Sequence, residues 1–169
     1  MQAIADEAAI SKASLHYHFR SKDRLFQKVF ERALQEYLPV VSTLSDESLE
    51  WEEKIRRFTT ALIDFIQNGR MLFIIREINR NPDLISNYIK NRKKPHGIVS
   101  YFEALQEQGK IGNIDPRLLY LFLNSLCCFP VINRGMFQKS LRMTNKEYEA
   151  LMNSYAQSVA DFFIQAIKK

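Results

Sequence analysis

The chain has 169 residues, 46% of them hydrophobic and 25% charged, which suits a folded domain with its own core and excludes a chain disordered throughout. With only 5 Gly and 5 Pro it is not a turn-rich β-sandwich, and Lys+Arg 24 against Asp+Glu 19 leaves +5, a mild excess that suits an anionic partner. The two cysteines, Cys127 and Cys128, are neighbours and build no disulfide framework. The longest apolar run, Leu118 to Ile132, is broken by Asn124, Ser125 and Pro130, and Asp6 and Glu7 stand where a signal peptide has its basic end. The expected compartment is the cytoplasm, without membrane association.

The hydrophobic period predicts an all-α protein. Ile4, Ala5, Ala8 and Ala9 mark a short first helix. Ser11 caps a second short helix, with Leu15 and Phe19 four apart on its inner face. Ser21 opens a longer helix whose apolar stripe runs Leu25, Phe26, Val29, Phe30, Ala33, Leu34, Tyr37 and Leu38, and Pro39 kinks or ends it. Trp51, Ile55, Phe58, Leu62 and Phe65 carry the next helix to Gly69. Arg70 to Arg80 is another, closed by Asn81-Pro82. Asp83 caps a helix through Leu84, Ile85, Tyr88 and Ile89, which Pro95 interrupts. Ile98, Tyr101, Phe102 and Leu105 then lead to Gly109.

Asp115-Pro116 pairs a capping carboxylate with Pro at the first helical position, so a helix runs from Arg117 to about Ile132. Thr144 to Glu147 reads as a capping box for the last helix, through Tyr148, Leu151, Met152, Tyr155, Val159, Phe162, Phe163 and Ile167. No internal repeat or strand interrupts this order.

Charge is uneven along the chain. Residues 39–53 hold 5 acidic side chains and no basic one, whereas residues 54–96 hold 10 basic and 3 acidic. A solvated helical face accounts for that surplus; a basic flank toward nucleic acid or an acidic ligand is the sharper reading, and the Lys90 to Lys94 run fits dipole complementarity at a helix end.

The helix from Arg117 is apolar on nearly every side, so it is buried on most sides, either as a central core helix or between its own protein and a second subunit. The second reading is preferred, because a self-complementary helical patch gives a two-fold dimer. Its expected interface is Leu119, Phe122 and Leu126 with Tyr155, Val159, Phe162 and Phe163 of the last helix.

The first 22 residues are the most specific part of the sequence. Two short helices joined by Ala9-Ile10-Ser11 describe a helix-turn-helix, whose second helix enters the major groove of DNA. Leu15 and Phe19 lock that helix from within and leave Lys12, Ala13, Ser14, His16, Tyr17 and His18 outward. Lys12 and Lys22 sit near helix N-termini, where backbone N–H groups also favour phosphate.

The run from Ile4 to Leu25, with Ile4-Ala5, the Ser11-Lys12 turn, Leu15-x-Tyr17-His18-Phe19 and Ser21-Lys22, resembles the DNA-binding segment of the tetracycline-repressor (TetR) family of bacterial transcription regulators. The match covers about the first 30 residues; the rest resembles the family in architecture alone. The resemblance implies Ala13, Ser14, His16 and Tyr17 at bases or backbone, Lys12, His18 and Lys22 at phosphates, and a structural role for Leu15 and Phe19. His16 departs from the Tyr usual at its place, which alters the bases read. Members also begin with an additional helix ahead of this segment, so the head here is expected to be N-terminally truncated, with Phe26, Val29 and Phe30 short of cover.

The implied organisation is a helix-turn-helix DNA-binding domain, 1–38, and a helical regulatory and dimerisation domain, 39–169. The implied function is a homodimeric repressor on a palindromic double-stranded DNA operator, released by a small-molecule effector. Phe58, Leu62, Phe65, Phe73, Tyr101 and Phe102 are the candidate pocket residues, with Glu77, Asn124 or Tyr120 to orient the ligand. Aromatics at helical spacing describe plain core packing equally well. The alternative function is a helical ligand-binding or scaffold dimer that does not bind DNA.

No catalytic constellation, Gly-rich phosphate loop or metal-ligand spacing accompanies this reading, so no enzyme, cofactor or metal is expected. His16 and His18 are two apart on a helix and point to different faces, and His96 stands beside Pro95. Cys127 and Cys128 are expected to be buried, inert thiols.

Overall fold

The computed structural model describes residues 1–67, 69–80, 82–83 and 97–169, and of residues 70–72 the backbone alone. The helix expected through Leu84, Ile85, Tyr88 and Ile89, the Pro95 break and the Lys90 to Lys94 run lie outside the described residues. Helices account for the regular structure among the described residues, and they gather into two compact units, Met1–Glu36 and Tyr37–Lys169.

In the first unit, α1 (Gln2–Glu7) and α2 (Lys12–Phe19) pack on each other, with Ala5 and Leu15 buried. α1 ends in two backward bonds: the N–H of Ile10 donates to Ala5 O at 3.0 Å and that of Ala9 to Asp6 O at 3.2 Å. This is the Schellman arrangement, which wants a left-handed residue at its centre. That residue is Ala9, at φ +53°, where glycine would be unstrained. Ala9→Gly is therefore expected to raise stability by roughly 1 kcal/mol, seen as a higher midpoint in urea; an unchanged or lower midpoint would argue against strain at this turn.

Ser11 caps α2, its Oγ accepting from Ser14 N–H at 3.0 Å, and Ser21 does the same for Arg24 N–H at 3.1 Å at the start of α3 (Lys22–Ser42). Phe26 stacks on Phe30 with ring centroids 6.1 Å apart. Of the three residues expected to lack cover, Phe30 is buried, Phe26 half-buried and Val29 exposed. Pro39 does not end α3, which runs on to Ser42 before a 3-10 turn at Thr43–Ser45.

The second unit is organised around α4 (Trp51–Gln67). Its buried Ile55, Phe58, Leu62, Ile63 and Ile66 meet α5 (Arg70–Arg80), α7 (Pro116–Ile132) and α9 (Asn145–Ile167). α6 (Gly97–Glu107) packs against α7, and Phe102 on it meets Phe163 of α9 at 5.9 Å between centroids. Ion pairs Arg56–Asp161 (2.9 Å) and Lys168–Glu52 (3.1 Å) run between α4 and the α9 end of the chain. The Asp115 carboxylate caps α7; its hydrogen bonds from Arg117 hold it down to about pKa 2. Thr144 and Glu147 form the expected capping box of α9. A short helix, α8 (Arg134–Ser140), joins α7 to α9 and was not visible in the hydrophobic period.

Pro130 lies inside α7 and has no N–H to offer the carbonyl of Leu126 one turn back. The Tyr155 hydroxyl of α9 donates to that carbonyl at 2.8 Å, and the Tyr148 hydroxyl donates to Pro130 O at 2.7 Å. Burial raises the pKa of both phenols and so keeps them protonated as donors. Two tyrosines of α9 thus supply partners that α7 cannot supply itself. Tyr155→Phe keeps the ring but orphans the carbonyl, and should cost about 1–3 kcal/mol in chemical denaturation; a variant as stable as the parent would show that the bond contributes nothing.

α7 does not have the all-round burial that its sequence suggests. Leu119, Leu123 and Cys127, at steps of four, are buried, while Leu118, Leu121, Phe122 and Phe129 are exposed. On α9, Val159 and Phe163 are buried, and Leu151 and Phe162 are exposed. Leu119, Val159 and Phe163 therefore belong to the core of their own unit and not to a partner-facing surface, because a side chain 1–5% exposed has no area left for a second protein. Phe122 (53% exposed) and Phe162 (64%) are open, and Leu126 and Tyr155 are half-buried.

Candidate nucleic-acid interface

Successive residues of α2 advance about 100° around its axis. Leu15 is buried and Phe19 half-buried, and together they define the inner side. Tyr17 then falls at the outermost direction, and it is 82% exposed. Ala13 and Ser14 lie beside it, one turn nearer the N-terminus, and both are exposed. His16 and His18 flank Tyr17, one on each side. Lys12, His16, His18 and Lys22 are exposed as well. All seven residues that the sequence assigned to DNA thus share the open surface of the first unit's second helix and its exit.

This surface has one sign of charge. From Lys12 to Lys22 the chain carries Lys12, Arg20 and Lys22 and no carboxylate, whereas Asp6 and Glu7 fall on α1. The small side chains of Ala13 and Ser14 leave the backbone approachable. Ser11 satisfies Ser14 N–H, and among the described residues the N–H groups of Lys12 and Ala13 meet no acceptor. They are oriented as the N-terminus of a helix presents its donors, toward an incoming anion. The His18 ring meets Tyr17 edge-on at 5.3 Å between centroids and Phe19 at 6.4 Å.

One member of this surface was absent from the sequence-derived set. Arg20 is exposed and lines an open depression with His16, Tyr17 and His18. It sits just past the end of α2 at φ +56°. Its spacing of three from Tyr17 and four from His16 is the signal that would have found it.

The candidate ligand residues are placed differently. Phe58, Leu62 and Phe102 are fully buried and Phe65 nearly so, all within the core of the second unit. Tyr37 of α3 meets Phe65 at 5.5 Å. Tyr101 is half-buried; its hydroxyl donates to Trp51 O at 3.3 Å and Lys54 lies 5.9 Å from its ring centroid. Phe73 (39% exposed) and half-buried Glu77 stand one turn apart on α5. Asn124 donates to Tyr120 O at 3.2 Å, and burial raises the pKa of Tyr120. The Cys127 thiol is buried and pushed up to about pKa 12 by desolvation and then by Cys128, which leaves it without thiolate reactivity at neutral pH. Among the described residues no group of three or more His, Cys, Asp or Glu side chains could hold a metal ion. No single described helix is long and apolar enough to cross a membrane.

Residues 1–29 match the family described as bacterial regulatory proteins, tetR family. Over 117 residues the chain is 25% identical to the uncharacterized HTH-type transcriptional regulator YhgD of Bacillus subtilis (strain 168), a match spanning 69% of this chain and 61% of that protein. Among solved structures it is similar to a protein described as a TetR-family transcriptional regulator from Mesorhizobium loti MAFF303099, with TM-score 0.63, 22% identity, and 98% of this chain and 85% of that one covered. A TetR-family transcriptional regulator from Haemophilus influenzae RD aligns with TM-score 0.62 and 20% identity, over 98% of this chain and 82% of the other. All three carry the names of transcriptional regulators.

Proposed function

We propose that this chain, a TetR-family regulator by its matched DNA-binding segment, its relative and its all-helical fold, binds a palindromic DNA operator as a homodimer and is released from it by a small-molecule effector. The observation that carries the reading is the open face of α2: cationic, free of carboxylates from Lys12 to Lys22, and crested by Tyr17. Ala13, Ser14, His16 and Tyr17 face base edges or the backbone beside them. Lys12, His18 and Lys22 meet phosphates, and Arg20 joins them. The DNA-binding part is residues 1–38, and residues 39–169 dimerise and hold the effector.

A dimer is needed because two heads read two half-sites about 34–36 Å apart, or a multiple of that. The exposed apolar side chains of α7 and α9 supply a face for it. An effector acts by binding better to the state that does not fit the operator. Phe58, Leu62, Phe65, Phe73, Glu77, Tyr101 and Phe102 remain the residues to probe for that site; only Phe73, Glu77 and Tyr101 among them have surface to offer without a rearrangement of the core.

The test is selection of duplexes from a randomised pool by the full chain, followed by affinity measurements across a salt series. A steep linear fall of log affinity with log salt, with slope about −0.9 per phosphate contacted, and enrichment of an inverted repeat are the expected results. Recovery of no preferred duplex by a chain that is folded and dimeric would favour the ligand-binding dimer without DNA.

A further inference from the structure

We propose that the second unit takes up an uncharged aromatic molecule carrying a hydroxyl or carbonyl group, and that Tyr37, Tyr120, Asn124 and Cys128 hold its polar end beside the ring of Phe65. The proposal rests on the effector reading above and names the chemistry of that effector and the side chains that meet it.

α7 has three kinds of side. Leu119, Leu123 and Cys127 go into the core, and Leu118, Leu121, Phe122 and Phe129 are open. Another flank carries Tyr120, Asn124 and Cys128, one polar residue at each step of four, and all three are half-buried. Tyr37 of α3 comes to this flank: its phenol is raised by burial first and then by the neighbouring Tyr120, Cys128 and Cys127. The Tyr37 ring lies 5.5 Å from that of buried Phe65, tilted by 46°. An aromatic wall and a polar flank thus adjoin. Small-molecule sites have that composition, a mostly apolar lining with a few placed hydrogen-bonding groups.

The hydrogen-bonding capacity of the flank is only partly used. Asn124 donates from Nδ2 to Tyr120 O at 3.2 Å, and its Oδ1 meets no donor among the described residues. The Tyr37 hydroxyl meets no hydrogen-bond partner among them either. A half-buried polar group without a partner costs free energy, which a polar atom of a ligand recovers. The set holds both a donor and an acceptor, so a hydroxyl or a carbonyl fits it. It holds no charge. Burial raises the Tyr37 and Tyr120 phenols and the Cys128 thiol, so all three stay neutral at neutral pH. Arg117, the one charged residue of α7, is held by Asp115. An ionised ligand would lose its water here and gain no counter-charge, whereas an uncharged one escapes that penalty.

The test uses the full chain and three probes of one ring system: naphthalene, 2-naphthol and 2-naphthoate. Affinity is measured by calorimetry for the parent, Tyr37→Phe and Asn124→Leu, with helical content checked by circular dichroism. 2-Naphthol should bind the parent about tenfold more tightly than naphthalene or 2-naphthoate. Tyr37→Phe keeps the ring and removes the hydroxyl, so it should weaken 2-naphthol by about two- to tenfold and leave naphthalene as it was. Asn124→Leu should act in the same way. A merely structural role for Tyr37 would move all three probes alike and would overturn the proposal. So would 2-naphthol binding no better than naphthalene, or 2-naphthoate binding best. Absence of binding by any probe to a chain that still holds a duplex from the randomised pool would overturn the proposal and leave DNA binding standing. Binding as expected that leaves the duplex in place would uphold the site and overturn its effector role.

Discussion

Replacing Tyr17 by Ala should weaken binding to a selected operator by about five- to a hundredfold, the equivalent of roughly 1–3 kcal/mol for a base-reading or stacking side chain. The same change should leave folding untouched. Tyr17 is 82% exposed, and its one ring neighbour within the unit is His18. Substitutions at such positions stay within about 0.5 kcal/mol of the parent. The chain should therefore melt and dimerise as before and lose DNA alone. Fluorescence anisotropy with the operator, paired with a thermal melt and a mass measurement in solution, separates the three properties. Undiminished operator binding would remove Tyr17 from the groove, and loss of the dimer would contradict the assignment of DNA reading and dimerisation to different parts of the chain.

The head was legible in the sequence because its signals are local. Ser11 and Ser21 cap the helices that their positions announced, and the buried pair Ala5 and Leu15 falls where the period put it. Seven exposed residues could be named because an amphipathic helix has one inner side and the rest is outside. Arg20 escaped because the helix pattern stops at Phe19, while the surface does not.

α7 shows the opposite case. Among its residues from Pro116 to Ile132 only Arg117 is charged, so inner and outer positions carry the same kinds of side chain. Leu118 and Leu119 are indistinguishable by type, yet one is exposed and the other buried. Side-chain type did not say which leucines of α7 face inward and which outward, and Leu119, Val159 and Phe163 were drawn to the wrong side for that reason. α8 was missed because Arg134–Ser140 spans fewer than two turns, too short for a period to emerge. The candidate ligand residues suffer from the same degeneracy: Phe58, Leu62 and Phe102 have the spacing of a pocket wall and the burial of a core.

The corrected face leads to the second large effect. Leu118, Leu121, Phe122 and Phe129 on α7 and Leu151 and Phe162 on α9 are exposed together on neighbouring helices, with Ser154 and Ser158 between them on α9 as small residues that let another helix approach. Exposed apolar side chains on neighbouring helices suit an interface, and in the proposed homodimer such a face pairs with its own copy and closes a two-fold dimer. In a two-fold interface each substitution is counted twice. Phe122→Glu or Phe162→Glu should thus place two unpaired carboxylates in the seam and convert the dimer to a monomer at micromolar concentration, with helical content unchanged, since both side chains are open in the single chain. Operator affinity should fall by about a hundredfold or more, because the second head loses its effective concentration at the second half-site. Leu119→Glu, one position along from Leu118, should instead unfold the second unit, because Leu119 is 1% exposed. Sedimentation equilibrium and circular dichroism on the three variants distinguish the outcomes. A dimer that persists in both Phe122→Glu and Phe162→Glu would place the interface elsewhere on residues 39–169.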